Sequence, residues 1–138
     1  MTITAAEINA FLGDAFPGTG NECLDVGPDW ALAHHAVLGD NLRPGGFVSG
    51  PTQFSLADAV LWYALFGAVG LEPMALTSEL SIRFLRPAAG SVLYARADLH
   101  TVGRRNVVGT VKLWMDGRSD KPVSVAQGTY VLPRTPTA

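Results

Sequence analysis

Cys23 is the only cysteine in 138 residues, so the chain can form neither an internal disulfide nor a cysteine-based metal site. Charge is scarce as well: 16% of residues are charged and 48% hydrophobic. That balance excludes an intrinsically disordered chain, which needs the reverse. The 15 glycines and 9 prolines follow no period, so collagen-like and low-complexity architectures fall away. No phosphate-binding loop or cluster of metal ligands is present. Ser55 lacks the G-x-S-x-G turn of a serine hydrolase. The opening MTITAAEINA has neither the basic segment nor the apolar core of a signal peptide; a cytoplasmic location is the expectation. The longest apolar run, Phe54 to Leu71, contains Asp58 and two glycines and has no charged anchors at its ends, which argues against membrane insertion.

What remains fits one α+β domain over residues 1–138. With so little charge to cover a surface, some apolar area is expected to be hidden by another copy of the chain. The few charges are uneven. Residues 1–82 hold nine of the twelve acids and one base, Arg43; residues 83–121 hold eight of the ten bases. This basic half reads either as a solvated strand face or as a site for a small phosphorylated ligand. The acidic total and the missing aromatic-basic interleave argue against duplex nucleic acid as a partner.

Along the chain, Ile8, Phe11, Leu12 and Phe16 have helical spacing, with Thr4 and Glu7 as a capping box and Pro17-Gly18 as the stop. Residues 21–26 and 30–37 read as short strands. A Gly/Pro-rich segment, Gly39 to Pro51, leads into the best helix, Pro51 to about Val69. That helix is apolar on nearly every face, hence buried, and its single charge is Asp58. After Gly70 the period changes to two: Leu76, Leu80, Ile82 and Phe84 alternate with Thr77, Glu79, Ser81 and Arg83. Three further alternating runs, around residues 93–99, 107–115 and 123–131, are joined by short turns and imply an antiparallel meander. The sum is about six strands wrapped around one long buried helix.

Two features carry chemistry. A carboxylate in an apolar helix costs several kcal/mol (on the order of 3–5) unless it is paired or solvated, so Asp58 is either a satisfied structural acid or a general base or nucleophile lining a cleft. Ser49-Gly50-Pro51 opens the helix, where free backbone N–H groups point outward and can hold a developing oxyanion. Pro51 has no N–H, which leaves Gly50 as the donor. His34 and His35 are adjacent on a predicted strand, so they face opposite sides and cannot form one site within a subunit. Trp62, Tyr63 and Phe66 read as core or as the wall of an acyl pocket.

Gly50-Pro51-Thr52-Gln53-Phe54-Ser55-Leu56-Ala57-Asp58 resembles the HGG-x-x-F-[ST]-L-A-D segment of hotdog-fold thioesterases of the phenylacetic-acid-pathway (PaaI-like) type. Ile82-Arg83-Phe84-Leu85-Arg86-Pro87, Val102-Gly103-Arg104-Arg105 and Gly128-Thr129-Tyr130 are similar to later signatures of that family, in the same order. The resemblance implies a hotdog fold, a homodimer or a dimer of dimers with sites shared between chains, and an acyl-CoA thioesterase. No cofactor of its own is implied, CoA being part of the substrate. It also implies Asp58 as the catalytic carboxylate, Gly50 as the N–H that polarises the thioester carbonyl, and Asn41 as a second contact to that carbonyl. Thr77 falls where some members keep a water-positioning Ser, although simple alternation puts it on the polar face of its strand. Ser49 replaces the family's substrate-positioning His, Pro51 its second Gly, and Asn41 lies two residues farther from Asp58 than the family pattern has it. Arg86, Arg104 and Arg105 are the candidates for the CoA phosphates. The rival readings are a non-catalytic acyl-CoA binder of the same fold and a hotdog hydratase or dehydratase; the latter lacks its His-acid pair here.

Overall fold

In the computed structural model, which describes residues 2–134, the apolar stretch forms helix α2 (Gly50–Val69), one residue longer at its start than the sequence predicts. The Ser49 Oγ accepts from the Thr52 N–H, and Pro51 occupies the first turn, where a missing N–H costs nothing. Leu56, Ala57, Val60, Leu61, Ala64, Leu65 and Phe66 are fully buried. Gly70, with φ of 91°, ends the helix in a region that side chains rarely adopt. Ahead of it, α1 (Ala5–Ala15) carries the predicted capping box: the Glu7 N–H donates to Thr4 Oγ1, and the Thr4 N–H donates to Glu7 Oε1.

Six strands make one antiparallel sheet: β1 (Asn21–Val26), β2 (Trp30–Ala36), β5 (Leu76–Phe84), β6 (Val92–Val102), β7 (Asn106–Met115) and β8 (Ser124–Val131). Their order is β1-β2-β6-β7-β8-β5, with the predicted meander β6–β8 at its centre. Leu93, Ala95 and Ala97 of β6, Val107, Val111 and Leu113 of β7 and Ala126 and Tyr130 of β8 are buried on the face that packs on α2. Gly109 and Gly128 are cross-strand partners, and a Cβ at either would meet a Leu61 methyl at 2.7 or 2.9 Å. The helix therefore sinks into the sheet at that pair. This helix-in-sheet layout is the hotdog fold.

The Gly/Pro-rich segment contains structure that its composition hides. A 3₁₀ turn, Gly39–Asn41, is followed by a small hairpin, β3 (Leu42–Arg43) with β4 (Phe47–Val48). The Ser49 N–H donates to the Asn41 carbonyl at 2.8 Å, extending that pairing by one step. That bond places Asn41 beside the start of α2.

The two sheet edges differ. At β1 the Asn9 side chain imitates a strand: its Nδ2 donates to the Cys23 carbonyl and its Oδ1 accepts the Cys23 N–H, both at 2.8 Å. That blunts the edge. β5 pairs only with β8 and leaves its other edge open. Alternation predicts Leu76 and Phe84 to be inward-facing and covered; instead they are 67% and 53% exposed. The register of β5 on β8 also shifts by one residue between Thr77 and Glu79. A bulge reverses the facing of everything beyond it, so Thr77, paired with buried Tyr130, joins Leu80 on the helix side.

Candidate active site

Asp58 lies in the middle of α2, facing β5 and β8. Thr77 Oγ1 donates to its Oδ1 at 2.7 Å and the Tyr130 hydroxyl donates to the same oxygen at 2.6 Å. The Tyr130 hydroxyl also lies 3.0 Å from the Asp58 carbonyl. Burial, and next the Asp58 charge, push the Tyr130 phenol well above its usual range, so it stays protonated and donates. Both bonds fall on Oδ1; Oδ2 has no hydrogen-bond donor among the described residues. One carboxylate oxygen is thus fixed and the other is not. Asp58 lines a cavity of about 230 Å³ whose wall also includes Asn21, Ser55, Trp62, Tyr63 and Tyr130. Trp62 and Tyr63 therefore belong to the wall, whereas Phe66 is core.

Tyr130 carried no role in the sequence reading beyond its place in Gly128-Thr129-Tyr130. Its signal is positional: a tyrosine on the inward face of a strand must bring its hydroxyl to a partner. Replacing it with Phe removes a hydrogen bond to an ionised group, and a loss of about 1–3 kcal/mol in unfolding free energy is expected from denaturant titration. An unchanged midpoint would mean that the Tyr130–Asp58 bond adds nothing.

Gly50 opens α2, and its N–H has no acceptor among the described residues. The Phe84 ring lies against it; a Cβ at position 50 would meet Phe84 Cζ at 3.3 Å. A cavity of about 600 Å³ opens here, lined by Arg43, Phe47, Gly50, Phe84 and Arg86. Asn41 is brought to the same end of the helix by its bond with Ser49. Ser49 itself is committed to the cap: its Oγ lies 2.9 Å from Thr52 Oγ1 and accepts the Thr52 N–H.

Apart from Arg104 and Arg105, the predicted residues fall into two groups, and Tyr130 joins the second. Asn41, Ser49, Gly50 and Arg86 gather at the start of α2; Asp58, Thr77 and Tyr130 gather two turns on. Eight residues of helix separate Gly50 from Asp58, a rise of roughly 12 Å. Arg104 and Arg105 belong with neither Arg86 nor Gly50. They lie in the β6–β7 turn, where Arg105 Nε donates to the Leu132 carbonyl at 3.0 Å. In register this turn adjoins Val131 and Leu76, whereas Arg86 follows Phe84 at the other end of β5. That separation is on the order of 25 Å, so the three arginines form no single phosphate site within one chain. Other bases lie on the outer sheet face: Arg96 pairs with Asp98 and stacks on Trp30, and Lys112 lies over Trp114.

Among the described residues no cluster of His, Cys, Asp and Glu could hold a metal ion, and no helix is long and apolar enough to cross a membrane.

The sequence profile of the thioesterase superfamily matches residues 45–120, more than half of the chain. The chain belongs to that superfamily. Its general chemistry is thioester hydrolysis. Among solved structures, a protein of Silicibacter sp. TM1040 provisionally named a thioesterase is 29% identical, with a TM-score of 0.86 over 96% of this chain and 94% of that one. A Haemophilus influenzae thioesterase is 24% identical, with a TM-score of 0.81 over 96% and 92%. The Escherichia coli PaaI protein of the phenylacetic acid degradation operon is 23% identical, with a TM-score of 0.75 over 94% and 91%. These last two likenesses are of fold. No curated protein sequence matches the chain.

Proposed function

We propose that the protein hydrolyses acyl-CoA thioesters at sites shared between two copies of the chain. The observation that carries this reading is the Asp58 carboxylate, held on Oδ1 by Thr77 and Tyr130, with no protein donor on Oδ2 among the described residues, in a side chain that lines a cavity. A base or nucleophile needs one carboxylate oxygen free of protein donors. The Gly50 N–H, at the positive end of α2, stabilises the charge that develops on the carbonyl oxygen. Asp58 Oδ2 either takes a proton from the attacking water or attacks the carbonyl carbon itself. In the first route water adds to the carbonyl and the carbon–sulfur bond breaks; in the second that bond breaks as an anhydride forms between the acyl group and Asp58, and water then hydrolyses the anhydride and restores the carboxylate. Either way one water is consumed, and free CoA thiol and a carboxylic acid are released.

Reacting atoms must approach to about 3–3.5 Å, so one thioester cannot use Gly50 and Asp58 of the same chain. The open edge of β5 resolves this. Thr77, bonded to Asp58, lies near the start of β5, and Phe84, packed on Gly50, lies at its end. Antiparallel pairing of two β5 strands about a two-fold axis near Leu80 sets the Asp58 end of one copy beside the Gly50 end of the other. It also covers Leu76 and Phe84 and joins two six-stranded sheets. The same operation brings Arg86 of one copy to the end where Arg104 and Arg105 of the other lie, and these are the proposed contacts to the CoA phosphates.

A panel of acyl-CoA substrates, read by release of free thiol, tests the activity; no hydrolysis above background across short, long and aryl chains would sink it. Charge reversal at Arg104 and Arg105 together should raise KM severalfold and change kcat little, because exposed charges contribute only about 0.2–1 kcal/mol each and act on binding. An unchanged KM across several acyl-CoAs would remove these arginines from the site.

A further inference from the structure

Strand alternation separates His35 from His34, and the surroundings of His35 are those of a residue that aims another. It is 7% exposed, on the inner face of β2. Both ring nitrogens are engaged: Nδ1 lies 2.8 Å from Asn21 Oδ1, and Nε2 lies 3.0 Å from Asn41 Oδ1. The ring fills the space over Gly20, where a Cβ would meet its Cε1 at 2.8 Å and φ is +80°.

We infer that His35 is a positioning residue, which turns the Asn41 carboxamide so that its N–H groups face the Gly50 end of the site. The inference rests on the thioesterase reading and deepens it. The Leu38 N–H donates to Asn41 Oδ1 at 2.8 Å, and a backbone N–H cannot face an amide nitrogen. That fixes which side-chain atom is oxygen. His35 Nε2, meeting the same oxygen, must then carry a proton and donate. With Oδ1 held from two sides, Nδ2 is turned away from both donors and meets no acceptor among the described residues. Asn41 is itself anchored beside Ser49, the residue before Gly50, by the 2.8 Å backbone bond. Asn41 Nδ2 is thus a second donor for the carbonyl that Gly50 polarises. Deprived of His35, the carboxamide keeps one donor, and its χ2 torsion has a broad, shallow profile.

The other side of the ring reaches the Asp58 cavity, since Asn21 Nδ2 lies 3.1 Å from Ser55 Oγ and both residues line that cavity. The protonation state of the ring changes only the Asn21 side. A neutral ring with its proton on Nε2 accepts from Asn21 turned over, with Ser55 donating to the Asn21 oxygen. A charged ring donates from both nitrogens. Donation to Asn41 is common to both.

The test uses His35→Gln and His35→Asn with Asn41→Ala and the corresponding double variants, on the best acyl-CoA substrate. Gln places its amide nitrogen where Nε2 lies and is expected to keep kcat within about threefold of wild type, whereas Asn reaches only the Asn21 side and loses about tenfold, less than the 10²–10³ of deleting an oxyanion donor. KM should stay within about twofold throughout. In an Asn41→Ala background His35→Asn should cost nothing further, because the group it aims is gone. A merely structural histidine would give equal losses in both backgrounds, falling thermal midpoints and no rescue by Gln, and any of these overturns the inference. His35→Asn as fast as an active wild type overturns it alone. A wild type inactive on every thioester overturns the thioesterase reading, and this inference falls with it.

Discussion

Asp58→Asn is expected to lower kcat for thioester hydrolysis by about 10²–10⁴, the loss typical of a general base, while leaving the fold and the oligomer intact. Asn keeps the volume and keeps an oxygen at the Oδ1 position, so the Thr77 and Tyr130 hydroxyls retain their acceptor. What it lacks is an anionic oxygen to take a proton or attack a carbonyl. The stability change combines two opposed effects. The two hydrogen bonds lose their charge assistance, which weakens them by about half. Against this, the cost of holding a charge in a half-buried position disappears. Parallel measurement of kcat and thermal midpoint separates the alternatives. A structural acid predicts a moved midpoint and retained turnover; a catalytic one predicts a nearly unchanged midpoint and lost turnover. More than about a tenth of wild-type kcat in the variant lies outside the range for a lost base and would remove Asp58 from the chemistry.

Much of the architecture was legible because it depends on periodicity. Helix α2 declares itself through apolar residues on every face, and β6 to β8 through strict alternation, since burial on one side leaves no other pattern. Thr77 shows where that logic fails. Counting by two from Leu80 assigns it to solvent, yet a one-residue bulge, which leaves no mark in hydrophobicity, turns it onto Asp58. The 42–48 hairpin is hidden for a related reason: its strands are two residues long, too short for any period to register.

The site was legible as residues and illegible as a place. Asp58 stands out as a lone charge in an apolar helix, and Gly50 as the donor left by Pro51. Their separation of roughly 12 Å follows from helix rise alone, but the sequence does not say that each faces its own cavity. The arginines show the same limit. Arg86, Arg104 and Arg105 are near one another in the chain, yet antiparallel strands carry them to opposite ends of the sheet. Alternation separates His35 from His34, a correct geometric point that says nothing of Asn41, six residues on. Hydrogen-bond partners across loops have no periodic signature, so only coordinates reveal them.

The proposed sharing of the site between two copies makes a prediction with no counterpart in a self-contained one. Asp58→Asn and Gly50→Pro should each be inactive alone, the second because proline removes the N–H at a helix position that tolerates it. In a mixed dimer the two defects fall in the same site. The copy carrying Gly50→Pro supplies an intact Asp58 to the Gly50 of its mate, while the remaining site holds both substitutions. Random exchange makes half of the dimers mixed, each with one of two sites intact, so about a quarter of wild-type activity should return for a two-fold assembly. Co-expression of the two variants, or mixing after reversible unfolding, provides the exchange, and free-thiol release provides the readout. Gly50→Ala is the control for crowding, since it keeps the N–H but meets the Phe84 ring at 3.3 Å. Sedimentation equilibrium of the wild type must also give a dimer or a multiple of it at micromolar concentration. Two exchanged variants that remain inactive, with mixed dimers demonstrated by mass, would place Gly50 and Asp58 in separate chemistry and leave the open β5 edge without its catalytic explanation.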